Sequence, residues 1–133
     1  MSEGVYETGT AATVQAFHVM PGLPPPEGRR HCHDYRIEVV ATRDQLDDRG
    51  MVVDLDVLTA AVDDVVARID GADLDAIVPV GAGGGVTVEV FARWVHRELA
   101  RTVATDGRLA LAVRVWESAT AFGGYRPEPP ARE

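Results

Sequence analysis

Alternating apolar and polar residues predict β-strands toward both ends of the chain. The clearest run follows His33, where Tyr35, Ile37 and Val39 fall on one face and the residues between them are mostly polar. A side-chain period of two residues is typical of a strand with one face toward the core. Comparable runs occupy residues 11–18 and 109–115, with a short fourth strand expected within 119–125.

Two helices are predicted between these strand pairs. The first covers residues 54–69 and begins with Asp54 or Asp56 as its N-cap, and the second covers residues 87–103 with Thr87 as its N-cap. Each helix has an apolar stripe that is expected to face the core. The stripes consist of Leu55, Leu58, Val62, Val65, Val66 and Ile69 in the first helix, and Val88, Phe91, Val95 and Leu99 in the second.

The order strand-strand-helix-helix-strand-strand predicts an α+β domain, in which both helices cover one face of a four-stranded antiparallel sheet. The glycine-rich run at residues 81–85 lacks the Lys-Ser/Thr pair of a phosphate-binding loop, so it is interpreted as a linker. A chain of 133 residues supports one core. We expect a single domain over residues 1–126 and a disordered, proline-rich tail over 127–133.

Composition narrows the classes of partner. The net charge is −8 and all thirteen basic residues are arginine, which argues against nucleic-acid binding because that depends on neutralising phosphates. The chain has no run approaching the ~18 apolar residues of a membrane span and no secretion-signal pattern at its start, so a cytoplasmic location is expected. The one cysteine excludes an intrachain disulfide.

Three of the four histidines are candidates for a metal site. His31 and His33 share one face of their predicted strand, roughly 7 Å apart, and His18 ends the preceding strand. If the two strands pair antiparallel, the three imidazoles meet, and three histidines with an open fourth position are the ligand set of a catalytic zinc. The alternative is a chance or hydrogen-bonded histidine pair. The neighbouring Arg29 and Arg30 form either an anion-binding cluster or solvated surface charge.

Five motifs in order resemble the 6-pyruvoyl-tetrahydropterin synthase family, which includes the 6-carboxytetrahydropterin synthases. The resemblance covers about residues 14–125 and implies a tunnelling fold, a homohexamer, and active sites between subunits that act on a small pterin-like substrate. The motifs are Val14-Gln15-Ala16-Phe17-His18, His31-Cys32-His33-Asp34-Tyr35-Arg36-Ile37-Glu38-Val39, Gly50-Met51-Val52-Val53-Asp54-Leu55, Val86-Thr87-Val88-Glu89, and Glu117-Ser118 through Tyr125.

The resemblance also implies roles for individual residues. His18, His31 and His33 would hold Zn²⁺, and Glu117 would anchor the pterin by pairing with its guanidine-like N–H groups. Thr87 would help to hold the ring, act only as a helix cap, or do both.

Two catalytic positions depart from the family pattern. Glu27 stands where the family usually has a catalytic cysteine, and Gly71 stands where it has a catalytic histidine, while the adjacent Asp70 remains. A glutamate at the first position resembles a branch that converts 7,8-dihydroneopterin triphosphate to 6-hydroxymethyl-7,8-dihydropterin. Glu27 is thus either a general base, with Asp70 in support, or a solvated loop residue. Cys32 should point away from both neighbouring histidines and is interpreted as a small packed thiol.

The expected function is a zinc-dependent lyase that acts on 7,8-dihydroneopterin triphosphate or a close analogue, with Arg29 or Arg30 as a candidate contact for the triphosphate. Two alternatives stay open. One is a repurposed family member with a different cyclic substrate, and the other is a non-catalytic pterin- or metal-binding homologue.

Overall fold

The structure is a computed structural model that describes residues 4–103 and 107–128. Its elements confirm the predicted α+β class and the order of strands and helices. They are β1 (Tyr6–His18), β2 (His31–Arg43), α1 (Leu55–Ile69), a 3-10 helix (Leu74–Ala76), α2 (Val88–Ala100), β3 (Ala110–Trp116) and β4 (Phe122–Tyr125).

Within the described residues, the strands form one antiparallel sheet in the order β1-β2-β3-β4. β1 is longer than predicted, because it begins at Tyr6 opposite Arg43 and continues to His18 opposite His31. The extra residues include threonine and glycine and lack a regular apolar alternation, so pairing with β2 defines them as strand.

The helices pack on one face of this sheet, as expected. Asp54 caps α1 by accepting a hydrogen bond from the Asp56 N–H at 2.9 Å, and Thr87 caps α2 by accepting one from the Val90 N–H at 3.2 Å. The core is almost entirely aliphatic, with Tyr35 and Phe91 as its largest members. The aromatic rings of these two residues meet edge to face, with centroids 5.1 Å apart, and join the sheet to α2.

The connection after α1 is more ordered than a plain linker. The Gly71 N–H donates to the Gln15 carbonyl at 2.6 Å, and the Phe17 N–H donates to the Ala72 carbonyl at 2.9 Å, so residues 70–73 lie along the free edge of β1. Gly71 has a φ of +74°, in the left-handed region that favours glycine. This segment covers the end of β1 that carries His18.

The glycine run is also partly structural. Gly85 is buried, and a Cβ built there would lie 3.0 Å from Pro21 Cδ and 3.2 Å from Met20 Sδ. Its lack of a side chain therefore lets the run pack against the residues that follow His18.

Across the described ranges, no helix is long and apolar enough to cross a lipid bilayer. In the expected tail, Pro127 and Glu128 lie outside regular structure, and residues 129–133 fall outside the described part of the chain.

Candidate metal centre

Three histidine side chains converge at one end of the sheet. His18 pairs with His31 and Ala16 pairs with His33 in the β1–β2 register, which places all three imidazoles on the core face. One ring nitrogen from each can be chosen so that all three atoms lie within 4.8 Å of one another. The ring centroid of His18 is 4.4 Å from that of His31 and 5.2 Å from that of His33. The predicted cluster therefore forms.

Two main-chain carbonyls orient two of these rings. His18 Nδ1 lies 2.9 Å from the Val86 carbonyl oxygen, and His31 Nδ1 lies 2.7 Å from that of Arg29. A carbonyl oxygen only accepts, so in the neutral ring Nδ1 carries the proton and Nε2 has the lone pair. This is the usual outer arrangement around a metal-binding histidine, because it fixes both the tautomer and the ring orientation.

The Nε2 atoms of His18 and His31 are buried and have no hydrogen-bond partner among the described residues. Leaving a buried acceptor unsatisfied typically costs about 1–3 kcal/mol. A metal ion bound by these lone pairs would remove that cost, and neutral imidazoles suit zinc as well as copper, iron and nickel. The residues present therefore fit a bound metal ion.

Burial lowers the pKa of His18, and the neighbouring His31 and His33 lower it further. The hydrogen bond to Val86 and the carboxylate of Asp75 oppose this effect without reversing it. The lowered pKa favours the neutral imidazole of His18 in the metal-free protein at neutral pH, and the neutral imidazole is the form that ligates a metal.

Tyr35 lies directly behind the cluster. Its ring centroid is 5.3 Å from that of His33 and 6.2 Å from that of His18. Burial raises the pKa of the Tyr35 phenol, and the negative charge of Glu117 raises it further. The Tyr35 phenol therefore stays neutral, and its ring packs between the histidine cluster and the core.

A cleft of about 510 Å³ opens beside His33 at the ends of β2 and β3. Glu117, the predicted pterin anchor, and His33 both line this cleft, whereas Cys32, Asp34 and Arg36 belong to the face of β2 opposite the histidines. Trp116 also lines the cleft, and its Nε1 is a buried hydrogen-bond donor without a partner among the described residues. The cleft is lined by Cys32, His33, Asp34, Arg36, Trp116, Glu117, Ser118 and Ala119.

The other predicted site residues have different surroundings. Thr87 caps α2 and directly follows Val86, whose carbonyl orients His18. Glu27 is exposed in the loop before β2, and its main-chain carbonyl accepts from the Met20 N–H at 2.8 Å. Asp70 Oδ1 accepts from the Gln15 N–H at 3.2 Å. Within the described part of the chain, neither Glu27 nor Asp70 makes a hydrogen bond or ion pair with the three histidines.

Cys32 is half-buried rather than fully packed, and it lines the cleft together with its neighbour His33. The orienting carbonyls of Val86 and Arg29 were not identified as functional from the sequence. Main-chain oxygens carry no residue signature, and only the tertiary fold brings Val86 to His18, 68 positions away.

The fold and the cluster define an α+β protein that carries a three-histidine site at one end of its sheet. A family model described as 6-pyruvoyl tetrahydropterin synthase matches residues 9–128. The chain therefore belongs to the 6-pyruvoyl tetrahydropterin synthase family. No curated protein sequence matches it.

Solved structures of this family share the fold. The Caenorhabditis elegans 6-pyruvoyl tetrahydropterin synthase superposes with a TM-score of 0.75 at 19% identity, covering 96% of this chain and 99% of that one. The Plasmodium falciparum synthase gives 0.74 at 13% identity, covering 92% and 98%. A Plasmodium vivax synthase variant, in which a catalytic glutamate is replaced by alanine, gives 0.72 at 12% identity, covering 94% and 99%. The predicted tunnelling fold is thereby confirmed.

Proposed function

We propose that this chain is a zinc-dependent lyase that acts on the side chain of 7,8-dihydroneopterin triphosphate or a close pterin analogue. The observation that carries the proposal concerns the Nε2 atoms of His18 and His31, which are buried, have no hydrogen-bond partner among the described residues, and lie in one cluster with His33. Zinc bound by the three histidines would polarise an oxygen of the substrate side chain and acidify the adjacent protons.

Glu117 supports a pterin substrate, because it lies near His33 and its charge acts on Tyr35 behind the cluster. Glu117 offers a carboxylate that pairs with the guanidine-like N–H edge of a pterin, an interaction strengthened by charge. Tyr35 closes the floor behind the cluster and excludes water from that side. The substrate would then be held by Glu117 with its side chain toward the histidines.

Glu27 is our proposed proton-transfer group, with Asp70 in support. The Plasmodium vivax synthase has a catalytic glutamate, which is a precedent for this residue type within the fold. Glu27 lies in an exposed loop whose base is closed by a hydrogen bond from the Met20 N–H to the Glu27 main-chain carbonyl. Among the described residues, its carboxylate makes no hydrogen bond or ion pair. In the assembled protein, proposed here to be a hexamer with sites at subunit interfaces, that carboxylate would reach a substrate.

Gly71 favours a second candidate, a pterin- or metal-binding homologue without the family's reaction or with a different cyclic substrate. A Cβ at Gly71 would meet nothing within 4 Å, so the position is open where the family pattern has an imidazole. The metal platform and the pterin anchor would then serve binding alone.

Incubating the zinc-loaded protein with 7,8-dihydroneopterin triphosphate and identifying the products by mass spectrometry tests the proposal. Release of a pterin with a shortened or otherwise altered side chain, lost in Glu27→Ala, is the expected result. Stoichiometric zinc with unchanged substrate would instead select the non-catalytic or repurposed homologue.

A further inference from the structure

A second cluster lies on the reverse face of the sheet, behind the histidines. The Arg30 guanidinium carbon is 3.8 Å from the centre of the Phe17 ring, and Arg30 Nε donates to Asp73 Oδ1 at 2.7 Å. Phe17 precedes His18 and Arg30 precedes His31, so the cluster sits at the same strand ends as two histidines of the site. We call Phe17, Arg30 and Asp73 the reverse-face clamp.

The clamp joins three separate segments of the chain. Phe17 belongs to β1, Arg30 leads into β2, and Asp73 lies in the segment that runs along the edge of β1. The Phe17 N–H also donates to the Ala72 carbonyl at 2.9 Å. An isolated ion pair this exposed contributes little, but here the guanidinium is also stacked on a ring that the backbone holds in place.

The reverse-face clamp lies at the end of the β1–β2 ladder, where the strands separate most easily. The ends of a β-ladder open most readily, and His18 and His31 are the last pair of the β1–β2 ladder. The carbonyl that orients His31 belongs to Arg29, the residue directly before Arg30. Movement of Arg30 would therefore shift that carbonyl and release the His31 ring.

We propose that Arg30 is a positioning residue for the metal centre. By tying β1, β2 and the 70–73 segment together, it sets the separation of His18 and His31 and the orientation of the His31 ring before a metal binds. This inference rests on the proposed function only in assuming that the three histidines bind a metal. It also assigns Arg30 a role other than contact with a substrate phosphate, because its guanidinium already pairs with Asp73.

Cobalt(II) titration of the metal-free protein tests the proposal, because cobalt reports both affinity and coordination geometry through its visible absorption. Arg30→Ala and Asp73→Asn should each raise the Kd by about tenfold to a hundredfold, as expected for outer groups that orient ligands, and alter the cobalt spectrum. Arg30→Lys, which keeps the charge but not the planar stacking, should recover part of the affinity.

Arg114→Ala is the matched control. Arg114 has the same two kinds of contact on the same sheet, with its guanidinium carbon 4.9 Å from the Phe122 ring centre and Nη1 3.7 Å from a Glu38 carboxylate oxygen. Its partners in the sheet are Glu38 and Gly124, away from the strand ends that carry the histidines, so cobalt binding should be unchanged. A folded Arg30→Ala protein with the wild-type Kd, within about twofold, and the wild-type cobalt spectrum would overturn the proposal.

Amide hydrogen exchange of the metal-free protein separates this inference from the proposed function. The Phe17 amide should exchange faster in Arg30→Ala and at the wild-type rate in Arg114→Ala. If the wild-type protein binds no cobalt, the metal-site proposal fails, and so does the role of Arg30 in positioning metal ligands. The exchange rate then shows whether the reverse-face clamp orders the strand ends in the absence of metal. An unchanged rate at Phe17 in Arg30→Ala would show that it does not.

Discussion

His18 lies directly opposite His31 at the end of the β1–β2 ladder, and their ring centroids are 4.4 Å apart. Each ring is bound through Nδ1 to a main-chain carbonyl, so both Nε2 atoms are presented to the same space. The protein thus keeps two buried lone pairs without protein partners within its described part. An arrangement with that cost is understandable where a ligand satisfies it.

Gly85→Ala should weaken metal binding through the carbonyl that orients His18. The added methyl would lie 3.0 Å from Pro21 Cδ and 3.2 Å from Met20 Sδ, and relieving this crowding would move the adjacent Val86 carbonyl away from His18. We expect a loss of about tenfold in zinc affinity, measured by competition with a chromophoric chelator.

Gly83→Ala is the control for that substitution, because a methyl at Gly83 meets nothing within 4 Å. It should leave zinc affinity unchanged. Equal affinities for the two alanine variants would show that packing at Gly85 does not control the His18 ring.

Glu117→Gln should weaken pterin binding with little effect on metal content. The change keeps the shape of the side chain but removes the charge that strengthens hydrogen bonds to a pterin N–H edge, an effect of about 1.5–3 kcal/mol or roughly tenfold to a hundredfold in Kd. Calorimetric titration with 7,8-dihydroneopterin measures it. Glu7→Gln is the control, because Glu7 is exposed at the start of β1, and this variant should bind the pterin like the wild type. Wild-type binding by Glu117→Gln would contradict the assignment of Glu117 as the anchor.

His96→Gln should make the stability of the metal-free protein less sensitive to mild acid. Burial lowers the pKa of His96 from its ordinary 6.5, and its contact with the Leu111 main chain offsets only part of this. As the pH falls through 6.5, the unfolded chain takes up a proton that the folded protein resists, so the free energy of unfolding decreases until the pH passes the folded pKa.

Urea unfolding at several pH values between about 7.5 and 5 measures that dependence. His18, whose pKa burial also lowers, contributes in the same direction, so the substitution should reduce the slope without abolishing it. An identical slope in the His96→Gln protein would contradict the assignment.

Leu58→Ala should destabilise the domain by about 2–5 kcal/mol, because a fully buried side chain would be replaced by a cavity beneath the sheet. Leu55 was expected on the same inward stripe, but the structure leaves it 46% exposed at the start of α1, so Leu55→Ala should change the free energy of unfolding by no more than about 0.5 kcal/mol. Comparing the two variants by urea unfolding tests the inward face of α1 as the structure shows it. Equal losses of unfolding free energy in the two variants would show that Leu58 does not lie on the buried face of α1.

The fold was predictable where local patterns agree with tertiary packing. Alternation along residues 31–39 is enough to place His31 and His33 on one face, and the helix stripes and the Thr87 cap are likewise local signals. The sequence left Asp54 and Asp56 as equal candidates for the first cap, and the structure shows that Asp54 is the cap.

The parts that could not be predicted depend on main-chain atoms and long-range contacts. The carbonyls of Val86 and Arg29 are chemically the same as any others, and the pairing of Gly71 with Gln15 joins residues that show no apolar pattern. Arg30 was predicted only as an anion-binding residue or a solvated surface charge, because nothing local indicates that Phe17 and Asp73 would contact it.

The central claim is that His18, His31 and His33 form one metal site, and zinc titration of the metal-free protein by calorimetry tests it most directly. One zinc ion should bind per chain, and His31→Ala should lose that binding, while His96→Gln, which changes a histidine outside the cluster, should retain it. Binding of zinc by the His31→Ala protein with wild-type affinity, or no stoichiometric binding by the wild type, would contradict the claim.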